Sequence, residues 1–186
     1  PETEGIIEES KKIFFDKKSN FKILDIGTGS GAIAISLARE FENAKILAID
    51  ISEHAIEVAN INIKNKNLSN QINLKKTNID YIDENFDLIV SNPPYLTRTE
   101  LENISDEIRY FEPKVALDGG EDGLNFYRVF ADKISEKLKA NGYLIIEIGE
   151  KQYMDCRDIF SNSSLKFEKK STDLQKKDRI IVFSKL

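Results

Sequence analysis

FKILDIGTGSGAIAISLAREF, Phe21 to Phe41, is the stretch on which the architecture turns. Phe21 to Ile26 is an apolar run of strand length that stops at Gly27-Thr28-Gly29-Ser30-Gly31. From Ala32 to Phe41 the pattern changes to a helical one, with Ile33, Leu37 and Phe41 on one face. Strand, glycine loop and helix form the dinucleotide-type opening of an α/β unit. Glycines serve there because a ligand must approach the backbone closely and some φ angles are positive. The helix start behind them presents unpaired N–H groups to an anionic group. Taken alone, G-x-G-x-G is a loose signal, and its context sharpens it.

That context begins with Ala44 to Ile49, a second strand ending on Asp50, 23 positions after Gly27. This is close to the spacing at which an acidic residue takes ribose hydroxyls in such folds. The lesser alternative for Asp50 is a cap for the helix that follows, Glu53 to Lys64, which turns Ala55, Val58, Ala59 and Ile63 inward. His54 decorates the start of that helix. Ile72 to Lys75 is a third strand, and Asn78-Ile79-Asp80 follows it. Asn78 and Ile79 read as the polar partner and apolar wall of an adenine pocket, or as a simple loop. Upstream, Glu4 to about Lys17 places Ile6, Ser10, Ile13 and Phe14 on one face of a leading helix, within residues 1–18.

Downstream, Asp87 to Tyr95 reads DLIVSNPPY. Phe86, Leu88, Ile89 and Val90 suit a buried parallel strand, which Asn92-Pro93-Pro94-Tyr95 ends. Pro93 and Pro94 have no N–H, so they bring carbonyl acceptors and no donors. Asn92 adds a side-chain carbonyl. Two rigid acceptors at a strand's carboxyl end suit a planar NH₂ group, and Tyr95 can supply an aromatic face over it. Asn-Pro by itself also marks ordinary turns.

Residues 97–123 form a long polar connection, with Phe111-Glu112-Pro113 and a glycine-rich Asp118 to Gly123; it reads as a lid or substrate-shaping loop. Leu124, Tyr127, Ala131, Ile134 and Leu138 then mark a helix that Asn141-Gly142 breaks. Tyr143 to Ile148 is a fifth central strand, Glu150 to Phe160 a helix, and Leu165 to Lys169 and Arg179 to Phe183 two closing strands in hairpin-like order. The whole implies one α/β domain over residues 1–186. Its sheet is open, mostly parallel and seven-stranded, with an antiparallel element near the C-terminus and helices on both faces.

Composition narrows the function classes. With 186 residues, 40% hydrophobic and 32% charged, the chain can bury a core without disulfides or metal. A lone Cys156 and a lone His54 leave no zinc site and no Cys-His pair for nucleophilic catalysis, and the unpaired cysteine suits a reducing cytoplasm. No apolar stretch spans a membrane. A net charge of −5 gives no overall basic surface for a nucleic-acid backbone, so no direct nucleic acid binding is expected.

Over nearly its whole length the sequence resembles class I S-adenosylmethionine-dependent methyltransferases of Rossmann-like fold. More narrowly it resembles the catalytic domain of the HemK/PrmC family, release factor glutamine methyltransferases. The residues carrying this are PETE at Pro1 to Glu4, DIGTGSG at Asp25 to Gly31, Asp50, SNPPY at Ser91 to Tyr95, and the FEP and GG-x-DGL elements between Phe111 and Leu124. NPPY alone is shared with enzymes that methylate exocyclic amino groups of nucleic acid bases.

The resemblance implies transfer of a methyl group from S-adenosyl-L-methionine to the side-chain amide nitrogen of a glutamine in peptide chain release factors. It implies a cofactor site of Gly27, Thr28, Gly29, Ser30, Gly31, Asp50, Asn78, Ile79 and Asn92. The glutamine would be held by Asn92, Pro93, Pro94 and Tyr95, with Asn92, Pro93 and Tyr95 at the reacting amide. It also implies an amino-terminal helical domain outside this stretch. The alternatives are a nucleic-acid amino methyltransferase, a scaffold that keeps only the fold, and a dehydrogenase, which G-x-G-x-G in place of G-x-G-x-x-G disfavours.

Overall fold

A parallel strand buried on both faces needs apolar residues at odd and even positions alike. Four of the five parallel strands here have them, and the edge strand at Ile72–Lys76 does not. In a computed structural model, which describes residues 3–14, 16, 18–103 and 116–186, the chain folds as α1 (Thr3–Ile13), β1 (Lys22–Ile26), α2 (Ala32–Glu40), β2 (Lys45–Asp50), α3 (Glu53–Asn65) and β3 (Ile72–Lys76). A 3₁₀ turn at Ile79–Tyr81 leads to β4 (Phe86–Ser91) and α4 (Arg98–Glu102). Then come α5 (Asn125–Lys137), β5 (Leu138–Glu147), α6 (Tyr153–Ser161), β6 (Leu165–Thr172) and β7 (Asp178–Lys185).

The strands form one sheet in the order β3-β2-β1-β4-β5-β7-β6. Strands β1 to β5 are parallel, and β7 enters antiparallel between β5 and β6. The expected open α/β sheet with an antiparallel element at its end is the fold observed.

Alternate residues feed two cores. Ile23, Leu88, Val90, Ile145, Ile180 and Val182 join α1, α2 and α3 on one face. Leu24, Ile26, Ile89, Leu144, Ile146, Ile181 and Phe183 join α5 and α6 on the other.

The inner residues Ile33, Leu37 and Phe41 are all buried, as their spacing predicts. Glu9 is buried too; it pairs with Lys12 of its own helix (2.8 Å) and ties α1 to the distal hairpin through Lys169 and the Ser171 hydroxyl (2.7 Å). Burial alone would raise its carboxyl, but these partners outweigh burial and hold it at about 2. The stability this confers is therefore full above the ordinary value of 4.5 and is lost as pH falls towards 2. Glu9→Gln is expected to cost about 1–3 kcal/mol at neutral pH. In urea titrations the gap between the two proteins closes in acid; a gap constant with pH would mean that Glu9 packs without its charge mattering.

Three boundaries differ from the sequence reading. The leading helix stops at Ile13. Asn141-Gly142 does not break a helix: α5 has already ended at Lys137, and both residues lie inside β5 beside a register shift against β4. The junction of α5 and β5 is held by Lys185, whose ammonium donates to Ser135 O at 2.8 Å in the last turn of α5 and to Leu138 O at 2.9 Å at the start of β5. Finally, α6 starts at Tyr153, because the residues before it form a turn in which the Gln152 N–H donates to Gly149 O at 3.0 Å. Phe111-Glu112-Pro113 lies outside the described residues.

Among the described residues no helix is long and apolar enough to cross a membrane, and no group of three His, Cys, Asp or Glu could hold a metal ion. Cys156 is buried in α6, and burial pushes its thiol up, away from reactivity.

Candidate functional site

In an open α/β sheet ligands bind beyond the carboxyl ends of the strands, where the chain order reverses. Here that point lies between β1 and β4. The strand ends are level: Ile26 is paired with Ile49 on one side and with Ser91 on the other, and Asp50 with Lys76. The glycine loop, Asp50, Asn78 and Asn92 to Tyr95 therefore leave four adjacent strands along one edge. The buried Ser91 hydroxyl locks the central pair by donating to Ile26 O at 2.8 Å.

Within the loop, Gly27, Gly29 and Gly31 have φ values of +69°, +54° and +82°, which only glycine adopts without strain. They do not do the same work. A methyl group built on Gly27 or Gly29 would meet nothing within 4 Å, so the space above them is open. One on Gly31 would come 3.3 Å from Ala59 Cβ, so this glycine lets α2 pack against α3. Ser30 is exposed and its carbonyl accepts from Asn62 Nδ2 at 2.9 Å. Thr28 faces inward, and its hydroxyl donates to Asp25 Oδ2 at 2.7 Å.

Asp50 is held in place by two backbone donors: Gly29 N–H reaches Oδ2 at 3.0 Å and Ser52 N–H reaches Oδ1 at 2.9 Å. Capping of α3 falls to Ser52, whose hydroxyl accepts from Ala55 N–H at 3.3 Å. The carboxylate thus lies against the glycine loop, half-buried, beside the open space.

Asn78 Oδ1 is a buried acceptor with no hydrogen-bond partner, which fits a site completed by a donor such as a bound amino group. Ile79 is fully buried, in the core that includes Leu24 and Ile82. The open space over two glycines, the acid anchored beside it and the orphaned amide oxygen together fit the nucleoside part of a cofactor.

On the β4 side, Asn92, Pro94 and Tyr95 are half-buried and Pro93 is buried. The Tyr95 hydroxyl stands 3.5 Å from Oε1 of the buried Glu147 at the end of β5. The described ends of the 97–123 connection both fold onto this turn. Thr97 and Glu100 form a capping box at α4, while Leu96 N–H donates to Leu117 O at 3.0 Å and Gly119 N–H to Leu96 O at 2.9 Å.

Asp25, Ser91, Glu147 and Gln152 also belong to this edge, and the sequence reading assigned them no role. Their one common signal is position at or just past the carboxyl end of a parallel strand. Asp25 is fully buried beneath the loop. Burial pushes its carboxyl up to about 6, against the bonds from Thr28 and the Ala34 N–H, and the charge of Asp50 adds to the rise.

Folding therefore favours the protonated acid. Its stabilisation is complete below the ordinary value of 3.8 and is lost as pH rises through about 6. Across that window Asp25→Asn, which does not titrate, is expected to gain about 3 kcal/mol on the parent protein. Denaturant midpoints that stay parallel from about pH 4 to pH 7 would contradict this.

Residues 17–179 match a family model described as a methyltransferase domain. The chain is 42% identical over 161 residues to the release factor glutamine methyltransferase of Streptococcus pneumoniae, covering 86% of this chain and 56% of that protein. It is 34% identical over 188 residues to the release factor glutamine methyltransferase of Clostridium acetobutylicum, covering 98% of this chain and 65% of that one. The chain thus spans between half and two thirds of the length of these relatives. Among solved structures, a methyltransferase from Pyrococcus furiosus overlays with a TM-score of 0.69 at 20% identity, over 97% of this chain and 82% of that one.

Proposed function

The chain belongs to the methyltransferase-domain family, and from that premise we propose that it transfers a methyl group from S-adenosyl-L-methionine to the side-chain amide nitrogen of a glutamine in peptide chain release factors. The setting is the cytoplasm, where translation terminates. The observation that carries this is the level pairing of Ile26 with Ser91, which brings the glycine loop and the Asn-Pro-Pro turn, whose two prolines offer carbonyls and no N–H, to the ends of two adjacent strands. The likeness to two release factor glutamine methyltransferases supports the choice of amide.

Gly27 and Gly29 leave room for the cofactor, Asp50 accepts from its ribose hydroxyls, and Asn78 accepts from its adenine amino group. The cofactor supplies an electrophilic methyl group on a positively charged sulfur. The remaining task falls to the chain's own residues, because an amide nitrogen is a weak nucleophile whose lone pair is delocalised into the carbonyl. The Asn92 side-chain carbonyl and the Pro93 carbonyl accept the two amide hydrogens and orient the nitrogen. As attack proceeds they also face the positive charge growing on it, so they act more strongly in the transition state than before it, and one of the two hydrogens is then lost as a proton to water to leave the neutral N-methyl amide. Tyr95 closes one face of the amide. Neither a metal nor a nucleophilic side chain is called for.

The test is calorimetric titration of the cofactor, followed by incubation of methyl-labelled cofactor with purified release factor, transfer RNA, ribosomal RNA and DNA in parallel. Label in the release factor alone is the expected result. Label confined to a nucleic acid would transfer the reading to a base amino group, and absence of cofactor binding would end it.

A further inference from the structure

The turn that would hold the substrate amide cannot hold itself. Pro93 and Pro94 offer no N–H, so that stretch has no donors of its own with which to tie itself down. A side chain from beyond β5 provides one tie. Gln152 is half-buried just before α6, and its Nε2 donates to Tyr95 O at 2.9 Å and to Gly123 O at 3.1 Å, while its Oε1 accepts from Gly149 N–H at 2.9 Å. Every hydrogen of this carboxamide is used, and its three partners are backbone groups that follow β4, precede α5 and follow β5.

The surroundings are closed around it. Gly123 has φ +75°, and a methyl group there would lie 2.4 Å from Tyr95 O and 2.5 Å from Gln152 Nε2. A methyl group on Gly149 would lie 2.8 Å from Gln152 Oε1, and one on Gly119 would lie 2.9 Å from the Tyr95 carbonyl carbon. Three glycines thus make room for one amide and the carbonyl it grips.

We infer that Gln152 is a positioning residue for methyl transfer: it fixes the Tyr95 carbonyl, and through it the Asn92-Pro93-Pro94-Tyr95 turn, while joining that turn to the Asp118–Gly123 segment. The inference rests on the proposed amide methylation for its kinetic consequence, though not for the latch itself. The chemistry is specific to a carboxamide of this length. Glutamate would set a carboxylate against two carbonyls, and methionine would fill the same volume with no hydrogen bond.

The experiment compares the parent protein with Gln152→Met and Gln152→Glu. Cofactor affinity by calorimetry is expected to stay within about twofold in both, since no contact of Gln152 lies on the glycine loop. The kcat on release factor is expected to fall about 10-fold or more, as misplacement of a bound group does. The Leu96 and Gly119 amides should exchange hydrogen about 10-fold faster or more, as their local protection is lost. Activity of Gln152→Glu relative to Gln152→Met should rise as pH falls, because a protonated carboxyl regains one donor.

Unchanged kcat together with unchanged exchange would overturn the inference, as would loss of cofactor affinity in step with kcat. If the parent protein methylates no release factor, the functional reading fails. The exchange rates then decide the latch alone: faster exchange supports it and unchanged exchange refutes it.

Discussion

Asn92→Ala is expected to lower the rate of methyl transfer by about 10²–10³-fold, the usual effect of removing one group that stabilises charge in a transition state. In the proposed mechanism Asn92 contributes one of the two acceptors that hold the substrate amide. Its neighbours cannot replace it: Pro93 is already assigned to the other hydrogen, and a buried proline has no side-chain dipole to turn. The damage should be confined to turnover. The proposed cofactor anchor lies on the other strand end, where Asp50 is bonded to Gly29 N–H and Ser52 N–H. Steady-state kinetics with release factor, beside calorimetry of the cofactor, separate the two. A variant that binds cofactor about 10²-fold more weakly but turns over normally would make Asn92 a cofactor residue instead.

Asp50→Ala should show the opposite profile, weakening the cofactor by about 10²–10³-fold with a much smaller change in kcat at saturation. Two charge-assisted bonds to ribose hydroxyls, at about 1.5–3 kcal/mol each, account for that range. Part of the loss arises within the protein itself, because the Gly29 N–H that Asp50 now satisfies would be left without its partner and the loop less well held. Asp50→Asn keeps an acceptor for Gly29 and is expected to fall between the two. If Asp50→Ala bound cofactor as the parent does, the ribose assignment would be wrong and Asp50 would serve only to brace the loop.

Legibility in the sequence followed the range of the interactions. The unit from β1 to α2 could be read because each of its signals is local: an apolar run, glycines where φ is positive, and then a helical repeat. Asp50 was found by spacing, yet spacing left two roles open. The contacts bear on the cap alone: Ser52 supplies the side-chain cap of α3, and Asp50 accepts from Gly29 N–H. The start of β5 was misread because Leu138 stands four residues after Ile134, so it satisfies a helix stripe as well as a buried strand. Which of the two it joins is decided by pairing with Phe86, far away in sequence.

Gln152 left no trace, since the carbonyls it grips lie 57 and 29 residues away and glutamine is ordinary at the start of a helix. Ile79 shows the converse. Its place after β3 marked it as an apolar wall, and it is fully buried in the core next to Asn78, whose amide oxygen has no hydrogen-bond partner.

The most direct test is tandem mass spectrometry of a purified release factor after incubation with this protein and S-adenosylmethionine. The predicted result is one added methyl group, localised to the side-chain nitrogen of a single glutamine and absent when Asn92→Ala replaces the parent protein. A methyl group on any other residue type, or an unmodified release factor from a protein that binds the cofactor, would contradict amide methylation and leave the crevice in need of another substrate.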